Sequence, residues 1–122
     1  GGTGTIINDR GEENGTGTWG RPMRWIDYSG KINKRQVGLM IVPAADNPRQ
    51  CWSHSRDYGV LVANPFPKQP KERREPYVKT WIKKGRPFRI RYAVLIHDTI
   101  NAIDHAREFR GLQKILTKVW QR

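Results

Sequence analysis

Val37-Gly38-Leu39-Met40-Ile41-Val42 is a run of six residues without a polar side chain, and its reading decides the fold. It is far shorter than the ~20 apolar residues a membrane helix needs. Its apolar side chains alternate onto both faces, so it reads as an interior strand of a packed sheet. A second run, Tyr58 to Ala63, reads as another buried strand, stopped by Asn64-Pro65. The two are expected side by side as inner members of a layered sheet, separated in sequence by the polar turn His54-Ser55-Arg56-Asp57.

Outward from these runs the chain is punctuated by turn residues. Twelve Gly and eight Pro in 122 residues predict short strands rather than a helical bundle. Gly4 to Asn8 reads as a short strand, Asp9 to Gly17 as a polar loop, and Met23 to Tyr28 as a strand. Ser29-Gly30-Lys31 reads as a turn leading toward Gln36 to Val42. Tyr77 to Ile82 and Pro87 to His97 read as strands joined through Lys83 to Arg86. In the latter, Phe88, Ile90, Tyr92, Val94 and Ile96 fall on one face.

The last twenty residues change period. Asn101 can cap a helix, with Asp104 three residues on. Phe109, Leu112, Leu116 and Val119 form an apolar stripe at helical spacing. His105 reads as a surface residue of this helix. The sequence therefore predicts a mainly β chain: an antiparallel β-sandwich, or half of a larger one, closed by one amphipathic helix over 101–121. Residues 1–122 make either one β-rich domain or the C-terminal half of a larger one.

Composition narrows the function classes. Lys and Arg number 23 against 11 acidic residues, a net charge of +12. Such a charge attracts nucleic acid, anionic glycans and anionic surfaces. No apolar run approaches a membrane span. The single Cys51 permits no internal disulfide and no cysteine zinc site, and it reads as a packed thiol. No Walker loop, Rossmann glycine fingerprint or nucleophile elbow is present.

Three groups of residues can carry chemistry. His54, Arg56 and Asp57 crowd one loop beside a buried run, where an imidazole base, an oxyanion-binding guanidinium and an orienting carboxylate can act together. The structural alternative is that Arg56 and Asp57 tie down an irregular loop. His97 ends the best strand, and beside His54 the two imidazoles and a carboxylate can hold a divalent metal. Trp19, Trp25, Trp52 and Tyr28 can stack on sugar rings, with Asp27, Asn47, Arg49, Tyr58 and Asn64 as binding partners. The alternative is that Trp25 and Trp81 fill the core. A buried Asp27 needs a partner. The basic stretches Lys68 to Arg74 and Lys83 to Arg91 present a surface for nucleic acid.

Several motifs fall in a familiar order. Trp19-Gly20, Arg24-Trp25-Ile26-Asp27-Tyr28-Ser29-Gly30, Val37 to Ile41, Asn47-Pro48-Arg49, His54-Ser55-Arg56-Asp57-Tyr58-Gly59, Ala63-Asn64-Pro65-Phe66, Lys84-Gly85, Arg91-Tyr92 and His97-Asp98 together resemble the C-terminal portion of the bacterial PmoA-like proteins. The resemblance runs from Gly1 to Phe109. The Arg-Asp-Tyr-Gly segment followed by Ala-Asn-Pro-Phe is its most specific part. The chain departs from the pattern at Pro43-Ala44-Ala45, where the family has Asp-His-Pro, and at Thr99, where the family often has Gly. The resemblance implies a soluble, exported or periplasmic β protein that acts on or binds carbohydrate. Its N-terminal half is then the expected partner of this segment. A basic binding module for nucleic acid or other polyanions is the second expectation, and a truncated inactive remnant the third.

Overall fold

In the computed structural model, which describes residues 4–67, 80–99 and 102–119, the first apolar run lies in β4 (Arg35–Pro43). β4 forms a hairpin with β3 (Ile26–Ile32). The turn is Asn33-Lys34, whose φ angles are 50° and 66°, the two left-handed residues that a type I′ turn requires. Ser29-Gly30-Lys31, expected as the turn, lies inside β3 instead. β1 (Thr5–Asn8) pairs with β3, and β7 (Tyr92–Thr99) pairs with β4 along its length, giving an antiparallel four-stranded sheet in the order β1-β3-β4-β7. β4 is thus an interior strand, as its two-faced apolarity predicts.

The second run behaves differently. Arg56 to Val60 folds into a tight turn, with the Arg56 and Val60 amides each donating to the other's carbonyl and Gly59 at φ 104°. Only its end, β6 (Ala63–Asn64), joins a ladder. β6 pairs with β5 (Cys51–Ser53), which pairs with β2 (Pro22–Met23), forming a separate three-stranded antiparallel sheet in the order β2-β5-β6. The two apolar runs therefore sit in different sheets rather than side by side. Tyr58, at the turn, is 71% exposed. The expected strand Met23 to Tyr28 is likewise divided between β2 in one sheet and β3 in the other.

Residues 80–91 carry no strand. β4 ends at Pro43 opposite Tyr92, so the chain before Tyr92 has no neighbouring strand along which to extend its ladder. The Asn47 side chain substitutes for one: its Oδ1 accepts from the Arg91 amide and its Nδ2 donates to the Arg91 carbonyl, both at 2.8 Å. The polar stretch after β1 contains a short helix, α1 (Asn14–Thr18). The C-terminal helix α2 spans His105–Val119. Its cap is Asp104, whose Oδ1 accepts from the Arg107 amide at 3.1 Å. The expected basic loop Lys68 to Arg74, the start of the expected strand at Tyr77, Asn101 and Trp120 lie outside the described residues.

The elements stack in three layers. Between the sheets, Ile6, Met23, Ile26 and Cys51 form one buried cluster, with Tyr28, Ile41, Leu61, Ala63 and Tyr92 packed against it. Between the large sheet and α2, Met40, Val42, Ala44 and Leu116 form a second, with Trp25, Ala93, Leu95, Phe109 and Leu112 around it. The chain is mainly β, two antiparallel sheets in sandwich-like layering with α2 on the outer face of the larger one. Each fully buried aliphatic side chain contributes about 1.5–3 kcal/mol. Trp25 joins this packing, whereas Trp81 is 80% exposed and does not fill the core.

The hairpin turn offers a test. Lys34 holds a left-handed conformation that disfavours a Cβ, while Asn-Gly is the preferred pair. Lys34→Gly is expected to raise stability by roughly 0.5–1 kcal/mol in urea unfolding. An unchanged or lowered midpoint would contradict the turn assignment.

Candidate functional site

The polar loop after β5 is pinned from below. Ser53 and Ser55 are fully buried. The Ser53 Oγ donates to the Ser55 Oγ at 3.1 Å and accepts from the Ser55 amide at 3.2 Å. The Ser55 Oγ in turn accepts from the Val62 amide at 3.0 Å. Alternation then sends His54 and Arg56 the other way. The His54 ring meets Trp19 edge to face at 5.3 Å between centroids. The Arg56 guanidinium lies 5.1 Å over the same indole, a cation–π contact. The Asn64 Nδ2 donates to His54 Nδ1 at 3.0 Å, and the Asn64 Oδ1 accepts from the Phe66 amide at 2.8 Å.

An imidazole that accepts at Nδ1 carries its proton on Nε2. Burial and then the charge of Arg56 lower the His54 pKa from its ordinary 6.5, so the ring is neutral at pH 7. Trp19, His54, Arg56 and Asn64 together present an aromatic ring, a neutral imidazole, a guanidinium and an amide at one end of the small sheet.

Asp57 is directed elsewhere. Its Oδ1 accepts from the Gly15 amide of α1 at 2.8 Å, and its carbonyl accepts from the Tyr28 hydroxyl at 2.5 Å. It ties α1 and the large sheet to the loop rather than orienting His54. Asn47 is occupied by Arg91. Arg49 donates from Nε to the Pro65 carbonyl at 2.8 Å and from Nη1 to Thr80 at 2.7 Å, holding two loops together.

His97 joins a different constellation. Asp27 on β3 is fully buried and faces α2. The His97 Nε2 donates to its Oδ1 at 2.5 Å, and the His105 Nε2 stands 3.4 Å from its Oδ2. The His105 ring stacks on Trp25 at 4.6 Å and 5°. His97 is two strands from Asp27, about 9–10 Å, and its ring crosses that gap over Gly38. A Cβ at Gly38 would lie 2.6 Å from the imidazole. A buried carboxylate needs a partner: the His97 ring satisfies Oδ1, while Oδ2 and the facing His105 Nε2 make no hydrogen bond. Each imidazole faces a different oxygen, so the trio bridges rather than chelates. Among the described residues no three His, Cys, Asp or Glu groups are arranged to hold a metal ion.

The loop and the strand end, which would have to meet to share a metal, form two separate clusters. His54, Arg56 and Asn64 come together with Trp19, while His97 pairs with Asp27. His105, read as a surface residue, is half-buried between Trp25 and Asp27. The signal for it was present: His105 precedes Phe109 by one turn on the apolar stripe, so it shares the face that meets the sheet. Asp98, beside His97, points to solvent and pairs with Arg35 at 2.7 Å. Cys51 is buried, its Sγ 3.6 Å from the Tyr92 hydroxyl, and burial pushes its thiol pKa upward.

Two measurements test this geometry. Gly38→Ala is expected to lower stability by about 1–3 kcal/mol through overpacking. It should cost less in a His97→Ala background, where the ring is gone and only the Ser29 Cβ, 2.7 Å away, still crowds the position. Equal losses in both backgrounds would contradict the crossing of His97 over Gly38. Cys51 is expected to react with a thiol reagent at pH 8 only as the chain unfolds. Rapid labelling of the native protein would contradict its burial.

No curated protein and no solved structure matches the chain. A family profile, described as "Family of unknown function (DUF6807)", matches residues 1–109. That match covers most of the 122 residues, and the chain belongs to the DUF6807 family.

Proposed function

We propose that this chain is a PmoA-like carbohydrate-binding β module whose Trp19, His54, Arg56 and Asn64 surface takes an acidic saccharide. The observation that carries the reading is the guanidinium of Arg56 laid on the Trp19 ring, with neutral His54 alongside. A guanidinium held over an aromatic face, here 5.1 Å from the ring centre, can offer N–H groups to a carboxylate in a bidentate pair. The His54 Nε2–H, set by the Asn64 amide at Nδ1, suits a sugar hydroxyl, and indole suits sugar C–H faces. A charge of +12 draws a polyanionic glycan toward the surface.

The reading is of binding rather than turnover. Asp57, the carboxylate nearest the cluster in sequence, is spent on the Gly15 amide. His97, the other catalytic candidate, is engaged by Asp27.

The net charge also favours a second reading, a nucleic-acid surface. Calorimetry with a uronic-acid oligosaccharide, its neutral counterpart and a single-stranded oligonucleotide separates the two. The expected outcome is preference for the acidic sugar and at least tenfold weaker binding by Arg56→Ala, about 1.4 kcal/mol. Tighter binding of the oligonucleotide, with a steep salt dependence, would replace the first reading by the second.

The lowered pKa of His54 gives a further expectation. In the unfolded chain the imidazole takes a proton near 6.5, and in the folded chain only at lower pH. Stability from this group is therefore complete above about pH 6.5 and is lost as pH falls through the folded value. The unfolding midpoint of the wild type should fall more steeply with acidification than that of His54→Gln, and parallel pH profiles would show that the ring is not held neutral.

A further inference from the structure

The large sheet is covered unevenly. One face meets α2. On the other face, the small sheet covers the end around Ile26 and Ile41. Along the same face, toward the β3–β4 hairpin, the apolar side chains continue with no cover among the described residues. Ile96 is 79% exposed, Ile32 63%, Val94 58% and Leu39 43%. Ile32, Leu39 and Ile96, with Tyr28 and Val37, border a shallow hollow of about 550 Å³, and Val94 lies beside Ile96 along β7. Lone exposed aliphatics are ordinary, but a contiguous set in register across three strands marks an interaction surface.

The shape of this surface selects the kind of occupant. A small ligand is held in a concave site that covers most of its area, and side chains this exposed form an open face. Pleated sheet surfaces of this kind pack against a second sheet, about 10 Å away. The open end continues the inter-sheet core that Ile6, Ile26 and Ile41 already make with the small sheet, so a further layer extends an existing interface. Charge selects the partner's rim. The exposed hairpin beside the hollow carries Lys31 and Lys34, and the hollow's carboxylate, Asp98, is paired with Arg35 at 2.7 Å, so the rim is net positive on a chain of net charge +12. A second copy would bring the same positive rim and the same net charge against this one, which is repulsive.

We propose that the Leu39, Val94 and Ile96 face of the large sheet docks a polypeptide segment from outside residues 1–122 that presents an apolar β face with an acidic rim. The inference is independent of the saccharide reading, because it uses neither Trp19 nor Arg56.

The test uses the full chain and two synthetic β-hairpin peptides. Both carry Val and Ile on one face; one has Glu and the other Lys at its rim. The expected result by calorimetry is at least tenfold tighter binding of the Glu-rimmed peptide, with at least a tenfold loss in Ile96→Glu. Leu39→Gln serves as a second variant, milder because it adds no charge, with folding of both checked by circular dichroism. Equal affinity for the two peptides, no binding, or binding unaffected by both variants would overturn the proposal. Sedimentation showing that the chain dimerises alone, and that Ile96→Glu abolishes the dimer, would overturn it in favour of a second copy.

Discussion

The carboxylate of Asp27, buried beneath α2 and held between two imidazoles, is the constraint around which the larger sheet and its helix are arranged. A charge removed from water must be compensated in place. Here the hydrogen bond comes from His97 on β7, and the ring of His105 at the start of α2 stands 3.4 Å from the other oxygen. The two histidines are joined in sequence only through the segment that ends in the Asp104 cap. The pairing therefore fixes more than one electrostatic contact. It sets where α2 begins, how its first turn meets Trp25, and how β7 lies across β4. The lower part of the helix is then seated by Phe109, Leu112 and Leu116 on Met40 and Val42. Gly38 makes the arrangement feasible, because any side chain at that point would occupy the space of the His97 ring. A glycine in the middle of an otherwise apolar strand is a sign of such a close approach.

Much of the architecture was legible in local patterns. β4 announced itself as an interior strand by apolarity on both faces, and α2 by the stripe from Phe109. The helix start was misplaced because Asn101 and Asp104 are both competent caps, and only tertiary contact at His105 decides between them. The run from Tyr58 to Ala63 has the composition of a buried strand, yet its first half is consumed by a turn at Arg56–Val60. Composition does not distinguish these outcomes, since apolar side chains can be buried from a turn as well as from a ladder. The alternation from Phe88 to Ile90 is likewise real but has no neighbouring strand to pair with, because β4 stops at Pro43. Strand formation requires a partner, and a partner is a non-local fact.

The same distinction separates what was legible in the candidate sites. His54, Arg56 and Asn64 lie within eleven residues of one another on a single loop and ladder, so their proximity follows from sequence spacing. Asp27 was recognisable as a carboxylate in need of a partner, but not which one. His97 is 70 residues away, and its pairing depends on the strand order β3-β4-β7. The two clusters have different physical characters. The Asp27 group is buried and joined to His97 by a hydrogen bond, which suits a structural tie. The Trp19 group keeps polar edges at a partly exposed surface, which suits recognition. The exposed aliphatics beyond the small sheet add a third surface, apolar where the second is polar.

Nuclear magnetic resonance of the histidine rings addresses the buried tie most directly. If His97 donates from Nε2 to the Asp27 carboxylate inside the protein, its Nε2–H proton will appear as a downfield, slowly exchanging resonance. It will shift or vanish in Asp27→Asn while the Trp19–His54 resonances stay in place. A His97 ring with the nitrogen shifts and rapid proton exchange of a free, solvated imidazole would contradict the account at its centre.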